Sequence, residues 1–222
     1  MPPSLACVYQ DTELLCVNKP SGMLVHRGWG QAEVVLVDLV RELTGRTAHP
    51  LHRLDRGASG VLAFARNAEV ARRLQPAFHD GRVDKRYLAL VRGLAPERVM
   101  VDHPIPNKPK GRRVPAVTEI RRLGVFERYS LVEARPHTGR LHQVRRHLKH
   151  LSLPVIGDAN YGKSEHNRLL RERFGLARLA LHCLELRFEH PDSGEPLCVQ
   201  APVPPDLAEP LERMGLSCRE GR

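Results

Sequence analysis

The 222-residue sequence has few cysteines, and they are not arranged for a disulfide framework or a zinc site. The five cysteines lie far apart, and no two of them form a Cys-x-x-Cys pair. Disulfide-rich domains and structural zinc sites both need closely and regularly spaced ligands. The nearby His142, His147 and His150 do not compensate, because this spacing does not bring three imidazoles onto one helix face. We therefore expect reduced thiols and no metal ion.

Long apolar runs are also missing. No run approaches the roughly 18 apolar residues of a membrane-spanning helix, and residues 1–15 contain no basic segment followed by an apolar one, as a secretory leader would. Hydrophobic residues make up 41% and charged residues 27% of the chain, which is the balance of a soluble globular domain. We expect a cytoplasmic protein that makes no membrane contact, is a monomer and has no obligatory protein partner.

Acidic residues are scarce relative to basic ones. There are 35 Lys and Arg against 25 Asp and Glu, so the formal net charge is +10. Residues 134–157 contain no acid at all, although they hold five Lys or Arg and four His. A basic stretch of this kind is often only a solvated surface. A strongly basic chain as a whole, however, favours a polyanionic partner. We therefore expect the partner to be nucleic acid.

Aromatic residues are sparse, at 5% of the chain. Passive single-strand binders use several aromatic side chains as a stacking platform. An enzyme that draws one base into one pocket needs only one or two. The composition therefore favours an enzyme acting on a base over a passive binder.

Strand and helix patterns alternate without a strict strand–helix–strand repeat. Apolar or alternating segments predict strands at 14–18, 61–65, 87–91, 116–121 and 130–134. Helical periodicity predicts one helix over 33–43 and a second that begins after Asn67 as N-cap. The proline-rich, basic residues 102–115 predict a flexible loop. This arrangement indicates an α+β fold with a mixed, largely antiparallel sheet and flanking helices.

One arginine occupies an unusual position on a predicted helix. Leu141, Val144, Leu148 and Leu151 form an apolar stripe, and Arg145 falls roughly 80° from its centre at about 100° per residue. Burying a guanidinium is costly unless a carboxylate or a phosphate meets it. We therefore expect Arg145 to face a carboxylate from elsewhere in the chain.

Residues 51–60, LHRLDRGASG, place Asp55 between two arginines just before a glycine-rich turn. Taken alone, this is compatible with an ordinary Asx turn flanked by surface arginines. The segment, however, resembles the H-R-L-D-x-x-x-S-G signature of the RluA family of pseudouridine synthases, apart from Ala58, where most members have Thr. Further motifs of that family are matched in order by KPSG (19–22), KRYLALV (85–91), TGRLHQVR (138–145) and PVIGD (154–158).

The resemblance covers residues 15–163 and implies the fold and activity of the family. It implies a pseudouridine synthase fold with a central active-site cleft, and one catalytic domain over residues 1–222. The N-terminal S4-like RNA-binding domain of many members has no room here, because KPSG begins at Lys19. The reaction isomerises uridine to pseudouridine within RNA and involves no redox step, so no cofactor is expected.

The matched positions also imply roles for particular residues. Asp55 is the implied catalytic carboxylate, Tyr87 the active-site tyrosine and Arg145 the partner of the carboxylate. Arg53 is the implied replacement for the flipped base in the stack, and Leu54 and Ile156 are expected to line the uracil pocket. The remaining expected RNA contacts are Arg140, His142 and Arg146.

Smaller similarities narrow the substrate. VHRGW (25–29), RRHL (145–148), Asn167 ahead of FGL (174–176), and the segment 181–197 resemble the C-type tRNA pseudouridine synthases, a subfamily whose known target is the uridine at tRNA position 65. An enzyme of the same family acting on ribosomal RNA remains an alternative, separated by its substrate. A non-catalytic RNA-binding protein or RNA chaperone of the same fold is another, but it would not need Asp55, Tyr87 and Arg145 together.

Overall fold

The computed structural model describes residues 5–27, 34–108 and 111–217. Within them the helices are α1 (Leu36–Thr44), α2 (Ala68–His79), α3 (Gln143–His150), α4 (Ser164–Phe174) and α5 (Pro205–Arg213). The strands are β1 (Ala6–Gln10), β2 (Leu14–Lys19), β3 (His49–Pro50), β4 (Ser59–Ala65), β5 (Asp84–Arg92), β6 (Arg98–Asp102), β7 (Ile105–Pro106), β8 (Arg113–Val114), β9 (Val117–Phe126), β10 (Tyr129–Pro136), β11 (Leu181–Glu189) and β12 (Pro196–Gln200). The motif residues Gly28 and Trp29, the predicted helix start at Glu33, and Lys110 lie outside the described residues.

The chain forms two compact units. The first comprises Met1–Lys85 and Cys183–Pro202, and the second comprises Arg86–His182 and Val203–Arg222. Of the three boundaries, two fall inside strands, within β5 and within β11, and the third lies between β12 and α5. The expectation of one catalytic domain over the whole chain stays a prediction.

In the first unit the strands follow the order β1-β2-β4-β11, with β3 paired to β4 and β12 paired to β11. Every residue of β4 is buried, which explains why its sequence is a continuous apolar run rather than an alternating one. Its register with β2 is antiparallel and pairs Leu14 with Ala65. The segment 51–58 connects β3, which ends at Pro50, to β4, which begins at Ser59, and β3 is itself paired with β4.

The two helices of the first unit follow the predicted periodicity with local differences. Asn67 caps α2 by accepting the Val70 amide at 2.9 Å, and the helix continues through Pro76 because its apolar face is buried up to Phe78. In α1, Leu36, Leu39 and Val40 are buried as the pattern predicts. Leu43, predicted on the same face, is 56% exposed; it lies in the last turn before the left-handed Gly45 that ends the helix.

In the second unit the strands follow the order β5-β10-β9-β6. Their registers are antiparallel throughout, and Tyr87 in β5 lies opposite Ala134 in β10. Together with the first unit, this confirms the α+β class with largely antiparallel sheets. Among the described residues, no helix combines the length and apolar character needed to cross a membrane.

The buried face of α3 differs from the predicted leucine stripe. Leu141 and Leu151 lie outside the helix and are half-buried. The buried residues are Gln143, Val144, Arg145, His147 and Leu148. Three of these are polar or charged. Arg145 was expected at the border of the buried face, whereas Gln143 and His147 are residues that hydrophobic periodicity does not count, and both make hydrogen bonds in their buried positions.

The predicted loop at 102–115 is partly wrong, because it contains a short β-hairpin. Ile105 pairs with Val114 and Pro106 pairs with Arg113. Ile105 is buried, and the Pro106 carbonyl accepts Arg146 Nη1 at 2.7 Å. The proline-rich composition hid the hairpin, since the apolar contact and the side-chain anchor come from distant parts of the chain.

Gly60, the second residue of β4, has no room for a side chain. Gly60 has φ +117°, and a Cβ placed there would lie 2.2 Å from the Cys183 carbonyl oxygen of the neighbouring strand. We expect Gly60→Ala to reduce the free energy of unfolding by far more than Gly194→Ala. Gly194 also has a positive φ, +72°, but its Cβ would meet nothing within 4 Å, so its cost is the backbone term alone, roughly 1–2 kcal/mol. Urea denaturation measures both; equal losses would contradict the steric argument.

Candidate active site

His52 anchors the segment that precedes Asp55. Its Nε2 accepts the Ala63 amide at 3.2 Å, and its ring stacks on Phe78 with centroids 5.3 Å apart. Burial, assisted by the nearby charge of Lys85, lowers the pKa of His52 to about 3. The imidazole is therefore neutral at physiological pH, which it must be to accept a backbone hydrogen bond.

Lys19 of the KPSG motif lies under the same segment. It is completely buried, and its Nζ donates to the carbonyls of Pro20 at 2.9 Å, Met23 at 2.8 Å and Arg56 at 3.2 Å. A buried ammonium is tolerated only when such acceptors replace water. Lys19 therefore ties its own turn to the residue that follows Asp55.

The rest of the KPSG turn adds direct contacts to residues 56 and 57. The Gly22 amide donates to the Arg56 carbonyl at 2.8 Å, and Arg56 Nε returns a bond to the Gly22 carbonyl at 2.9 Å. The Ser21 hydroxyl donates to the Gly57 carbonyl at 2.6 Å. The backbone immediately after Asp55 is thus held by three residues of a distant motif.

The candidate residues of this segment differ in exposure. Arg53 is exposed, Leu54 is buried and Asp55 is half-buried. The Asp55 carbonyl accepts the Ala58 amide at 3.1 Å, which closes the turn. Ala58, the departure from the family signature, is fully buried.

In the second unit, Tyr87 and Ile156 lie on or beside β5. Tyr87 is 9% exposed and Ile156 is 1% exposed. The Ile156 amide donates to the Leu90 carbonyl at 2.9 Å, and its own carbonyl accepts the Ala180 amide at 2.9 Å. Ile156 is therefore held by one backbone bond to β5 and one to Ala180, the residue before β11.

Arg145 meets a buried carboxylate, Asp158, which is not the residue that the resemblance implies as its partner; the implied pairing with Asp55 stays a prediction. Arg145 Nε donates to one oxygen at 2.7 Å and Nη2 to the other at 2.8 Å, which makes a two-point fork. Asp158 also accepts the amides of Asn160 and Tyr161. Burial alone would raise the pKa of Asp158, but the bonds from Arg145 and the two amides, with the Arg145 charge, hold that pKa below its usual range.

Tyr161 contacts three of the predicted RNA-binding or catalytic residues. Its ring lies 5.1 Å from the Arg145 guanidinium and 6.0 Å from that of Arg146. Its hydroxyl accepts Arg146 Nε at 3.0 Å and lies 3.2 Å from His142 Nδ1. One half-buried aromatic side chain thus sets the direction of two adjacent arginines.

The TGRLHQ segment is organised around Gln143. Its Oε1 accepts the Thr138 hydroxyl at 2.7 Å and the Arg140 amide at 3.0 Å. Its Nε2 donates to the Val117 carbonyl and the Thr118 hydroxyl, both at 2.9 Å. All four bonds of the amide are made, so burying Gln143 costs little. Arg140 is half-buried, and its Nε reaches the Pro115 carbonyl at 3.2 Å.

His147 continues this network toward the hairpin. It is fully buried, with Nδ1 2.8 Å from the Thr118 hydroxyl and Nε2 2.9 Å from the His103 carbonyl. A carbonyl accepts only, so Nε2 carries the proton and Nδ1 accepts from Thr118. The rings of His103 and His150 stack with centroids 3.7 Å apart. Helix α3 is therefore joined by hydrogen bonds to β9 at Thr118 and to His103, which lies just before β7.

The comparisons with known proteins agree with these motifs. A family model described as RNA pseudouridylate synthase matches residues 13–150. The chain is 42% identical to tRNA pseudouridine synthase C of Vibrio cholerae, covering 89% of this chain and 90% of that one. It is 39% identical to the Salmonella typhimurium protein of the same name, over 95% and 90% of the two chains.

A solved structure supports the same assignment. Human RNA pseudouridylate synthase domain containing 4 superposes with a TM-score of 0.80 at 28% identity, over 97% of this chain and 95% of that one. The chain belongs to the RNA pseudouridylate synthase family. It is accordingly an isomerase that converts uridine to pseudouridine in RNA, as the resemblance implies.

The predicted site residues of this pseudouridine synthase are divided between its two units. Arg53, Leu54 and Asp55 belong to the first unit. The second unit contains Tyr87, Arg140, His142, Arg145, Arg146 and Ile156. Within the second unit, α3 and the turn that follows Ile156 bring His142, Arg145 and Arg146 around Tyr161.

Sequence reasoning missed Asp158 and Tyr161 as contacts of the candidate residues. Asp158 was within reach, because it closes the PVIGD motif and is the first acid after the acid-free stretch 134–157. Tyr161 carried no sequence signal of its own. Among the described residues, no group of three or more His, Cys, Asp or Glu side chains is arranged to hold a metal ion.

Arg145 and Arg146 offer a test of the buried fork. We expect Arg145→Met to reduce the free energy of unfolding by about 3–5 kcal/mol, because it leaves Asp158 buried without its cation. Arg146→Met loses two neutral-acceptor bonds from a half-buried side chain, so we expect a loss of about 1–3 kcal/mol. Thermal and urea unfolding measure both variants. Equal losses would contradict a special role for the Arg145–Asp158 pair.

Proposed function

We propose that this enzyme modifies tRNA, and that its target is the uridine at position 65. The observation that carries the proposal is the 39–42% identity, over about nine-tenths of each chain, to relatives named tRNA pseudouridine synthase C. The motifs at 25–29, 145–148, 167 and 181–197 support the same subfamily. We further propose that it acts as a monomer in the cytoplasm.

The central group that the reaction needs from the protein is a carboxylate. The N1–C1′ bond of uridine breaks, the uracil turns, and C5 bonds to C1′. The C5 proton then leaves and N1 is protonated, so atoms and electrons balance without a co-reactant. Glycosidic bond cleavage in enzymes commonly relies on an aspartate or glutamate, and in this proposal Asp55 is that group. It acts either as a nucleophile at C1′ or as a base toward a sugar proton.

The local structure supports Asp55 in this role. The backbone after it is tied to the KPSG turn by Lys19, Ser21 and Gly22, and the segment before it is anchored through His52. A reacting carboxylate must be held in one place, since small displacements of reacting groups are costly in rate. A half-buried carboxylate meets RNA and is still partly shielded from water.

The other two proposed catalytic residues have complementary chemistry. The Tyr87 ring is suited to stack on the uracil, and its hydroxyl to take the C5 proton in the last step. Arg145 supplies a permanent positive charge that favours the ionised form of a nearby carboxylate. Arg53, which is exposed, is suited to enter the base stack when the target nucleotide leaves it. Leu54 and Ile156 supply the apolar walls for the base.

The test of the activity is a comparison of Asp55→Asn with wild type in cells that lack the gene. Pseudouridine mapping should show a modification at tRNA position 65 with the wild-type gene and none with the variant. The change is isosteric, so folding and RNA affinity should be retained, whereas an amide serves neither as nucleophile nor as base.

Tritium release from 5-tritiated uridine in purified tRNA measures the same loss in vitro. Residual turnover within tenfold of wild type would contradict the role of Asp55. Modification of ribosomal RNA with none in tRNA would instead identify the alternative substrate.

The basic hairpin gives a second prediction, on affinity. Lys108 and Arg112 are exposed, and we propose that they contact phosphates. Each phosphate contact adds about 0.7–0.9 to the slope of log affinity against log salt, so Lys108→Ala/Arg112→Ala should flatten that slope by about 1.4–1.8. The rate on saturating tRNA should stay near wild type.

The matched control is Arg72→Ala/Arg82→Ala, which removes the same charge from exposed positions on and just after α2. This control should leave the salt slope close to wild type. Equal slopes in the two double variants would show that the hairpin does not touch RNA. A collapsed saturating rate in the hairpin variant would show that it helps to build the active site instead.

A further inference from the structure

We infer that Asp158 is a positioning residue for the isomerisation, and that Asn167 acts through it. The proposed mechanism names Asp55, Tyr87 and Arg145; the geometry points to a further layer, the turn 157–162, which fixes the guanidinium of Arg145. This inference rests on the proposed role of Arg145.

The two hydrogen bonds of the fork hold the Arg145 guanidinium in a single orientation. Both oxygens of Asp158 are engaged, by Nε at 2.7 Å and by Nη2 at 2.8 Å. A guanidinium is planar, so two bonds to a fixed carboxylate determine both its plane and the direction of Nη1. The aromatic ring of Tyr161, 5.1 Å away, limits movement out of that plane. A lysine at position 145 could not be held in this way, because an ammonium lacks the fork.

The carboxylate is itself held in place. Two backbone amides of the turn donate to its Oδ1, from Asn160 at 2.9 Å and Tyr161 at 3.0 Å. Asp158 is 1% exposed. These bonds stabilise the ionised form, so the fork is charged on both sides and cannot rotate without losing several bonds at once.

Asn167 secures the turn from α4. Its Oδ1 accepts the Gly157 amide at 2.8 Å, and its Nδ2 donates to the Asp158 carbonyl at 3.3 Å. Gly157 must be glycine here, since a Cβ would lie 1.9 Å from the Arg178 carbonyl oxygen. A chain of contacts thus runs from α4 through Asn167 and Asp158 to Arg145, and every step is a hydrogen bond.

Replacing Asp158 should change the reaction rate, whereas replacing an ordinary buried counter-ion changes only the stability. A purely structural carboxylate lowers stability when replaced, and the remaining folded enzyme keeps its rate. A positioning carboxylate also lowers kcat, because a displacement of about 1 Å in a catalytic group costs up to ~10²-fold in rate. KM should change less than kcat, since the proposed phosphate contacts Lys108 and Arg112 lie on the hairpin rather than on the turn 157–162.

The experiment measures single-turnover rates on saturating tRNA for Asp158→Asn, Arg145→Lys and the double variant. We expect Asp158→Asn to lower the rate by about 10–10²-fold with KM near wild type. We expect the double variant to be no slower than Arg145→Lys, because Asp158 acts only through the guanidinium; such non-additivity marks coupled residues. Additive losses, or a wild-type rate for Asp158→Asn beside a slow Arg145→Lys, would overturn the inference.

A wild-type rate for Arg145→Lys would instead remove the proposed role of Arg145 itself, so the two failures are distinguishable. Asn167→Ala covers the case in which Asp158→Asn does not fold, because it loosens the turn without leaving a charge unpaired. It should lower the rate in the same direction by a smaller factor, and a wild-type rate would count against the chain of contacts.

The matched control is Glu133→Gln. Glu133 is 4% exposed and holds Arg86, Arg121 and Arg135, so its loss also breaks a buried ion pair in the second unit. Arg86 and Tyr87 are consecutive in β5 and point to opposite faces of the sheet. Glu133→Gln should therefore lower the melting temperature and keep the rate. A rate loss equal to that of Asp158→Asn would show that general loosening, not the fork, explains both.

Discussion

The buried fork between Arg145 and Asp158 is the constraint on which the second unit's site depends. Two charges removed from water are tolerated only when geometry and additional hydrogen bonds replace the lost solvation. This requirement explains why the turn after Ile156 has its particular shape, with two amides aimed at one carboxylate oxygen. It also explains why Asn167 closes the turn from α4. The glycine before Asp158 has a separate cause, because a Cβ at Gly157 would lie 1.9 Å from the Arg178 carbonyl oxygen.

The two acids that border the acid-free stretch 134–157 are both buried, and both hold arginines. Glu133 immediately precedes it and Asp158 immediately follows it. Glu133 binds Arg135 and Asp158 binds Arg145, so two of the five cations of the stretch are neutralised. Arg140, Arg146 and Lys149 form no ion pair within the part of the chain that the structure describes. The stretch is therefore both a structural element and a source of positive surface charge.

Sequence reasoning predicted those features that depend on local pattern. The strands around 14–18, 61–65 and 87–91 and the Asn67 cap followed from apolar runs and capping chemistry, and the motif spacing led to the family. The position of Arg145 on its helix also predicted a carboxylate partner. The partner that the resemblance implies is Asp55, and that pairing stays a prediction. The contact with Asp158 did not follow from the sequence, because Asp158 and Arg145 meet through a turn whose shape is set by hydrogen bonds.

Other features that the sequence did not predict also depend on hydrogen bonds and contacts between distant residues. Gln143 and His147 were not counted as buried because hydrophobic periodicity considers only apolar side chains, whereas a polar side chain with all its bonds made is equally suited to a core. The hairpin at 105–114 was assigned as loop because its prolines and glycine outweighed two short apolar contacts. The roles of the candidate residues lie beyond pattern altogether, since they depend on the reaction.

The separation between buried and exposed cations has a consequence for how this enzyme responds to salt. Exposed charges are screened over roughly 8–10 Å at physiological ionic strength, whereas buried pairs are screened much less. Salt should therefore weaken RNA binding through residues such as Lys108 and Arg112 while leaving the Arg145–Asp158 fork intact.

Acid acts on the buried ion pairs instead. The pKa values of Asp158 and Glu133 are held below their usual range by arginines and hydrogen bonds, against the effect of burial. Their contribution to stability is complete above the ordinary carboxyl pKa and is lost as the pH falls below it. The second unit thus contains two sets of charges: exposed cations such as Lys108 and Arg112, whose binding salt weakens, and the buried Arg145–Asp158 fork, which protonation of Asp158 weakens.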